Sequence, residues 1–170
     1  AEVLARYGEH FENVGDYARI INDGQFARLK GYLDDAKQRG IEKVTLAGHA
    51  DPAQRLMPPT LLLDPGDDAT VMQEEIFGPL LPIKSYRTLD EAIAYINAHD
   101  RPLALYPFSH DNATVEKILH HTLAGGVSVN DTLFHFAIAN LPFGGVGPSG
   151  MGAYHGRAGF DAMSKRLPVL

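Results

Sequence analysis

The 170-residue chain is 45% hydrophobic and 21% charged, ordinary globular proportions that exclude a disordered polypeptide. Its net charge of −6 argues against a nucleic-acid partner, which calls for clustered Lys and Arg, and no apolar run reaches the roughly 18 residues of a membrane span. Cysteine is absent, which excludes a disulfide scaffold, a thiolate metal site and an in-chain cysteine nucleophile, and which fits a cytoplasmic protein.

The chain opens Ala1-Glu2-Val3-Leu4, with no initiator Met and no basic-then-apolar leader, and is expected to be a piece of something longer. Phe26, Leu29, Leu33 and Ala36 recur at spacings of three and four, and Gly40 supplies a stop. That spacing predicts a helix over 24–39. Strand candidates follow at 43–47, at 60–63 between Pro59 and Pro65, and at 80–86. Thr88 caps the next helix, with Glu91 placed for a capping box and Leu89, Ala92, Ile93 and Ile96 as the buried stripe. A strand at 104–109 comes next. Asp111 or Asn112 starts a helix carrying Val115, Ile118 and Leu119, which Gly125 ends. A strand at 126–130, an apolar loop, a Gly-rich stretch and a short helix-then-strand pattern complete the chain. This alternation predicts an α/β fold: a mostly parallel open sheet of four or five strands with helices on both faces. The connection over 64–79 is long for such a fold, and long ordered loops are often functional.

Within that loop lies Glu74-Glu75-Ile76-Phe77-Gly78-Pro79. Adjacent side chains on non-helical backbone diverge, so one acid can face a cleft while the other faces a basic residue or solvent. A carboxylate accepts hydrogen bonds from sugar hydroxyls and a ring offers a flat apolar surface, so together they suit a nucleoside. The plainer alternative is a solvated turn with Phe77 filling the core.

A second run, Leu141-Pro142-Phe143-Gly144-Gly145-Val146-Gly147-Pro148-Ser149-Gly150-Met151-Gly152, matches G-x-G-x-x-G at Gly145, Gly147 and Gly150. A dinucleotide fingerprint needs a preceding strand, a following helix and an acid about twenty residues on within a βαβ unit, but only twenty residues follow Gly150, and Pro148 interrupts the motif. No P-loop lysine follows. The better reading is a loop making a close backbone approach that a Cβ would prevent. Ser149 has no evident base nearby in sequence. The histidines show no metal-ligand spacing: His120 and His121 are adjacent, about 100° apart on a helix. His135 is assigned an ordinary polar role, and His155 is the histidine expected to border a pocket.

The two runs, in this order, resemble the aldehyde dehydrogenase superfamily. The string from Leu141 to Gly152, with Tyr154-His155-Gly156 after it, is similar to its class 3 branch, and within that branch to coniferyl-aldehyde dehydrogenases. Matching stretches include Ile20-Ile21-Asn22, Arg101-Pro102-Leu103-Ala104-Leu105-Tyr106 and Gly125-Gly126-Val127-Ser128-Val129-Asn130-Asp131. The resemblance implies an enzyme that oxidises aldehydes to carboxylic acids with NAD or NADP through a cysteine thiolate. It implies that Glu75 binds the nicotinamide ribose and that Phe77 packs beside the nicotinamide. It implies that Phe143 and His155 border the aldehyde pocket, with Leu133 and Phe136 in the matching variable loop. Phe136 and Phe143 favour an apolar, aromatic aldehyde, and the resemblance implies one such as coniferyl aldehyde.

The family's nucleophilic cysteine, general-base glutamate, oxyanion asparagine and Rossmann half match nothing in this chain. Residues 1–170 are therefore expected to be the C-terminal part of the catalytic domain, with no catalytic residue of its own, inactive alone and binding NAD poorly. Apolar surface left by the missing half, with Leu133, Phe134 and Phe136 as candidates, predicts a homodimer. The strand at 166–170 resembles the family's intersubunit strand. The competing reading is a non-catalytic binding or interaction domain on the same fold. A hydrolase using Glu74 and Glu75 as a pair is disfavoured, because paired acids must flank a bond at roughly 5 Å or more.

Overall fold

The computed structural model describes residues 2–8, 10 and 14–170. The chain divides into two compact units, Ala1–Ser85 and Tyr86–Leu170.

The first unit is organised by helix α2, Asp23–Gln38. Asn22 caps it by accepting from the Gln25 N–H at 2.8 Å, which satisfies one of the first-turn donors that lack an intrahelical partner. Gly40, with φ +71°, takes the left-handed conformation that ends the helix. The face of α2 that goes inward carries Phe26, Leu29, Tyr32 and Ala36. They pack with Met57, Leu62, Ala69, Val71 and Leu80. Burying each large apolar side chain of this set contributes about 1.5–3 kcal/mol. Tyr32, rather than Leu33, sits at the centre of the stripe; Leu33 is only half-buried at its edge. A short helix α1, Glu2–Tyr7, precedes this frame, has no buried residue and left no periodic signal in the sequence.

Three strands lie against α2: β1 (Glu42–Thr45), β2 (Thr60–Leu63) and β3 (Leu80–Ile83), in that order. β1 pairs antiparallel with β2, and β2 pairs parallel with β3. The antiparallel pair follows from its connection. Segment 46–59 contains no helix and returns through a tight turn in which Asp51 and Leu56 exchange backbone hydrogen bonds at 2.9 Å. Antiparallel neighbours need only such a reversal, whereas parallel ones need a crossover of a dozen residues or more. The 64–79 loop is that crossover, and it carries a single helical turn, α3 (Thr70–Gln73). Pro82 is accommodated because β3 is an edge strand.

The second unit contains α4 (Leu89–Ala98), β4 (Ala104–Leu105), α5 (Asn112–His121), β5 (Gly126–Val127), α6 (Phe134–Ala137) and α7 (Gly156–Met163). Thr88 caps α4 by accepting from the Glu91 N–H at 3.2 Å. The returning arm of the expected box goes one residue earlier, Glu91 Oε2 accepting from the Arg87 N–H at 3.0 Å. Asp111 caps α5 by accepting from the Ala113 and Thr114 N–H groups.

The α/β class is as the alternation predicted, and five strands are present among the described residues. They do not form one open sheet, because β4 and β5 make a separate parallel pair. Both strands are two residues long where five or six were expected. Pro107 explains the early end: it accepts from the Asn130 N–H at 2.9 Å but has no N–H to return, so the ladder cannot continue. Residues 166–170, expected as a strand, have no strand partner among the described residues and adopt no regular structure. Among the described residues no helix is long and apolar enough to cross a membrane.

Candidate functional site

The hexapeptide of the first unit is held from below by α2. Arg28 Nη1 donates to the Glu75 carbonyl at 2.9 Å, and Nη2 donates to the Ile76 carbonyl at 2.7 Å. Arg28 is itself fixed by Nε donating to Gln25 Oε1 at 2.7 Å and by a bond to the Tyr32 hydroxyl. The Tyr32 hydroxyl in turn donates to Glu74 Oε2 at 2.6 Å. Burial raises the Tyr32 phenol above its ordinary pKa, and the bond to Glu74 raises it further by retaining the proton.

The two acids therefore diverge. Glu74 is spent on Tyr32. Glu75 is exposed, and its carboxylate has no hydrogen-bond or ion-pair partner among the described residues. Phe77 adopts φ +40°, a left-handed conformation that non-glycine residues rarely take. Its ring is 78% exposed, which overturns the alternative in which it fills the core. It borders an open hollow of about 420 Å³ lined also by Arg19, Ile20, Ile21, Asn22 and Gln25. A free carboxylate two residues from the hollow's exposed ring can accept hydrogen bonds from a diol while the ring covers a flat heterocycle.

In the second unit the Gly-rich run is a tight hairpin. Phe143 and Tyr154 exchange backbone hydrogen bonds at 2.9 Å. A Cβ at Gly144 would lie 2.0 Å from the Gly152 carbonyl oxygen, so glycine is required there. This is the close backbone approach predicted in place of a dinucleotide fingerprint. Ser149 Oγ accepts from the Val146 N–H at 2.8 Å and donates to the Val146 carbonyl. It serves the turn.

The hairpin brings three of the expected pocket residues together. The His155 ring stacks on Phe143 with centroids 5.9 Å apart and an interplanar angle of 22°, and Phe136 lies 5.5 Å from Phe143 and 6.4 Å from His155. Tyr154, which sequence reasoning did not single out, meets His155 edge-on at 4.6 Å. His155 Nδ1 is buried without a partner. Leu133 does not join this cluster: its side chain is 66% exposed, at φ +65°.

His135 is more than the ordinary polar residue expected. It is buried, with Nδ1 3.0 Å from Ser128 Oγ and Nε2 unpartnered. Its ring lies so close over Gly126 that a Cβ there would come within 2.6 Å of it. Among the described residues no group of three His, Asp or Glu side chains is placed to hold a metal ion.

Arg28 and Tyr32 were also missed. The signal available was weak: Gln25, Arg28 and Tyr32 stand at i, i+3 and i+7, the spacing of neighbours along one helix face. Nothing in that spacing says that the partners lie nearly fifty residues on.

Comparison with known proteins agrees with this architecture. The aldehyde dehydrogenase family profile matches residues 2–167, and the chain belongs to that family. A probable coniferyl aldehyde dehydrogenase of Caulobacter vibrioides is 51% identical over 170 residues, covering 98% of this chain and 35% of the relative. The substrate-bound structure of Staphylococcus aureus AldH aligns with a TM-score of 0.84 at 41% identity, covering 99% of this chain and 38% of that one. A Mycobacterium tuberculosis aldehyde dehydrogenase complexed with NAD+ aligns with a TM-score of 0.75 at 30% identity, covering 85% of this chain and 30% of that one. The chain thus spans about a third of the length of the relatives it matches.

Proposed function

We propose that residues 1–170 are the C-terminal part of the catalytic domain of an NAD(P)-dependent aldehyde dehydrogenase, one that acts on an apolar aldehyde of the coniferyl type in the cytoplasm. The observation that carries this reading is the pair formed by the unpartnered, exposed Glu75 carboxylate and the outward-facing Phe77 ring. That pair fits the nicotinamide end of NAD or NADP. When bound, the coenzyme supplies the hydride acceptor. Glu75 accepts from the two ribose hydroxyls, and Phe77 limits where the nicotinamide ring can lie. A carboxylate accepting from neutral hydroxyls makes the stronger, charge-assisted kind of hydrogen bond.

Phe136, Phe143 and His155 line the aldehyde side, with Leu133 at its margin. Their rings supply apolar area for an aromatic substrate. The thiolate that attacks the carbonyl and the donors that stabilise the resulting oxyanion come from outside this chain, which contains no cysteine.

Two experiments test the reading. In the full-length enzyme carrying this chain, Glu75→Gln is expected to lower kcat by about tenfold or more, the cost of weakening one charge-assisted contact, with the thermal midpoint unchanged. The purified 170-residue chain alone is expected to reduce no NAD+ or NADP+ in the presence of aldehyde. A Glu75→Gln enzyme with wild-type kinetics, or robust turnover by the isolated chain, overturns the assignment.

A further inference from the structure

We infer that Arg28 is the positioning residue of the coenzyme site: its guanidinium sets the orientation of the Glu75 carboxylate and the Phe77 ring by clamping the two peptide carbonyls between them. The inference rests on the reading of Glu75 and Phe77 given above. It concerns a residue that is not among those lining the hollow beside Phe77.

The geometry is specific to a planar, forked cation. Nη1 and Nη2 each reach a different, consecutive carbonyl, at 2.9 and 2.7 Å. Consecutive carbonyls in an extended strand point to opposite sides, so a single flat group can bind both only if the chain is turned at this place. The residue that follows them, Phe77, has a positive φ of +40°. A non-glycine residue there is strained, and such strain persists only where surrounding contacts over-determine it. Two contacts do so here. Arg28 holds the two carbonyls that precede Phe77, and Gly78, which follows it, lies against the fully buried Leu29.

Arg28 is held in turn. Gln25 fixes its Nε and the Tyr32 hydroxyl fixes Nη1, both from the same helix face. Tyr32 is 3% exposed and anchored in the core, so the orientation of Arg28 is set by core packing. Tyr32 also binds Glu74, which keeps the first acid turned away and leaves the second acid free to face outward. The chain of contacts runs from the core, through Tyr32 and Arg28, to the backbone that presents Glu75 and Phe77. Lysine could satisfy one carbonyl but not both, because its ammonium is a point donor without the fork.

The experiment uses the full-length enzyme with 4-fluorophenylalanine at position 77. Arg28→Lys is expected to broaden or shift the fluorine resonance in the absence of coenzyme. It is also expected to weaken NAD+ binding about tenfold, the fold-change of losing one hydrogen bond from a charged donor. Aldehyde KM should be unchanged. Tyr32→Phe is the second variant, and serves if Arg28→Lys fails to fold; it is expected to move the same resonance in the same direction by less. An unaltered resonance in the folded variant overturns the clamp. If Arg28→Lys moves the resonance while Glu75→Gln retains wild-type kinetics, the clamp stands and the assignment of the coenzyme site falls.

Discussion

Gly78 lies against Leu29 with no space for a side chain between them: a Cβ on Gly78 would come within 2.5 Å of Leu29 Cδ1 and 2.6 Å of Cδ2. Leu29 is fully buried in the packed face of α2 and has nowhere to withdraw. Gly78→Ala is therefore expected to destabilise the chain by roughly 1–3 kcal/mol, the range for overpacking a dense core. It should also turn Phe77, whose backbone it adjoins. Urea unfolding followed by tyrosine fluorescence measures the first effect. A midpoint equal to wild type would show that the contact is compliant.

Asp35 links two elements of the first unit. It accepts from Arg39 Nε at 2.8 Å and from the Thr70 N–H at 2.9 Å. The Arg39 guanidinium first, and the Thr70 amide second, hold its carboxyl below the ordinary value of 3.8. A depressed folded value means that the unfolded chain binds the proton more readily. Its contribution is therefore complete above pH about 4 and is lost as pH falls through the folded value. Asp64, bonded to the Ser85 N–H and hydroxyl, and Asp111, capping α5, are lowered likewise and act in the same window. Urea midpoints measured between pH 5 and 2 on wild type and Asp35→Asn should converge as the pH falls. Parallel curves would remove Asp35 from the account.

Tyr17 acts at the other end of the scale. Its hydroxyl donates to the Met57 carbonyl at 2.7 Å, and burial pushes its pKa up to about 12. The folded state keeps the proton that the unfolded state releases near 10. Stability from this bond is intact below pH 10 and is lost as pH rises towards 12. Tyr17→Phe should flatten the loss of stability over that interval. A wild-type slope in the variant would place the alkaline sensitivity elsewhere.

The loop around α6 exposes apolar side chains, with Leu133 and Phe134 each about two-thirds accessible. Exposed apolar side chains adjacent in the chain favour burial against a partner. The isolated chain is expected to form a homodimer, and Leu133→Ser with Phe134→Ser to shift it towards monomer. Light scattering at dilute concentration decides this. A wild-type monomer across the range would dispose of the prediction.

Much of the local structure was legible in the residue order, because it is governed by neighbours a few positions apart. The periodic stripe placed α2, Thr88 and Asp111 placed the starts of α4 and α5, and the Gly-Pro and Gly-rich runs marked the segments that carry the candidate residues of each unit. The family was legible too, carried by the hexapeptide and the 141–152 string. What sequence order could not show was any pairing across the chain. Whether Phe77 turned inward or outward shows only in the folded chain, where the residue is 78% exposed. Which acid was free depended on a tyrosine 42 residues upstream of Glu74. The splitting of the strands into two sheets, and the stacking of His155 on Phe143, required backbones to be brought together by the fold. Local propensity is written residue by residue. The partner of a buried donor is settled only when packing brings distant segments within hydrogen-bond reach and burial leaves the donor little water to turn to.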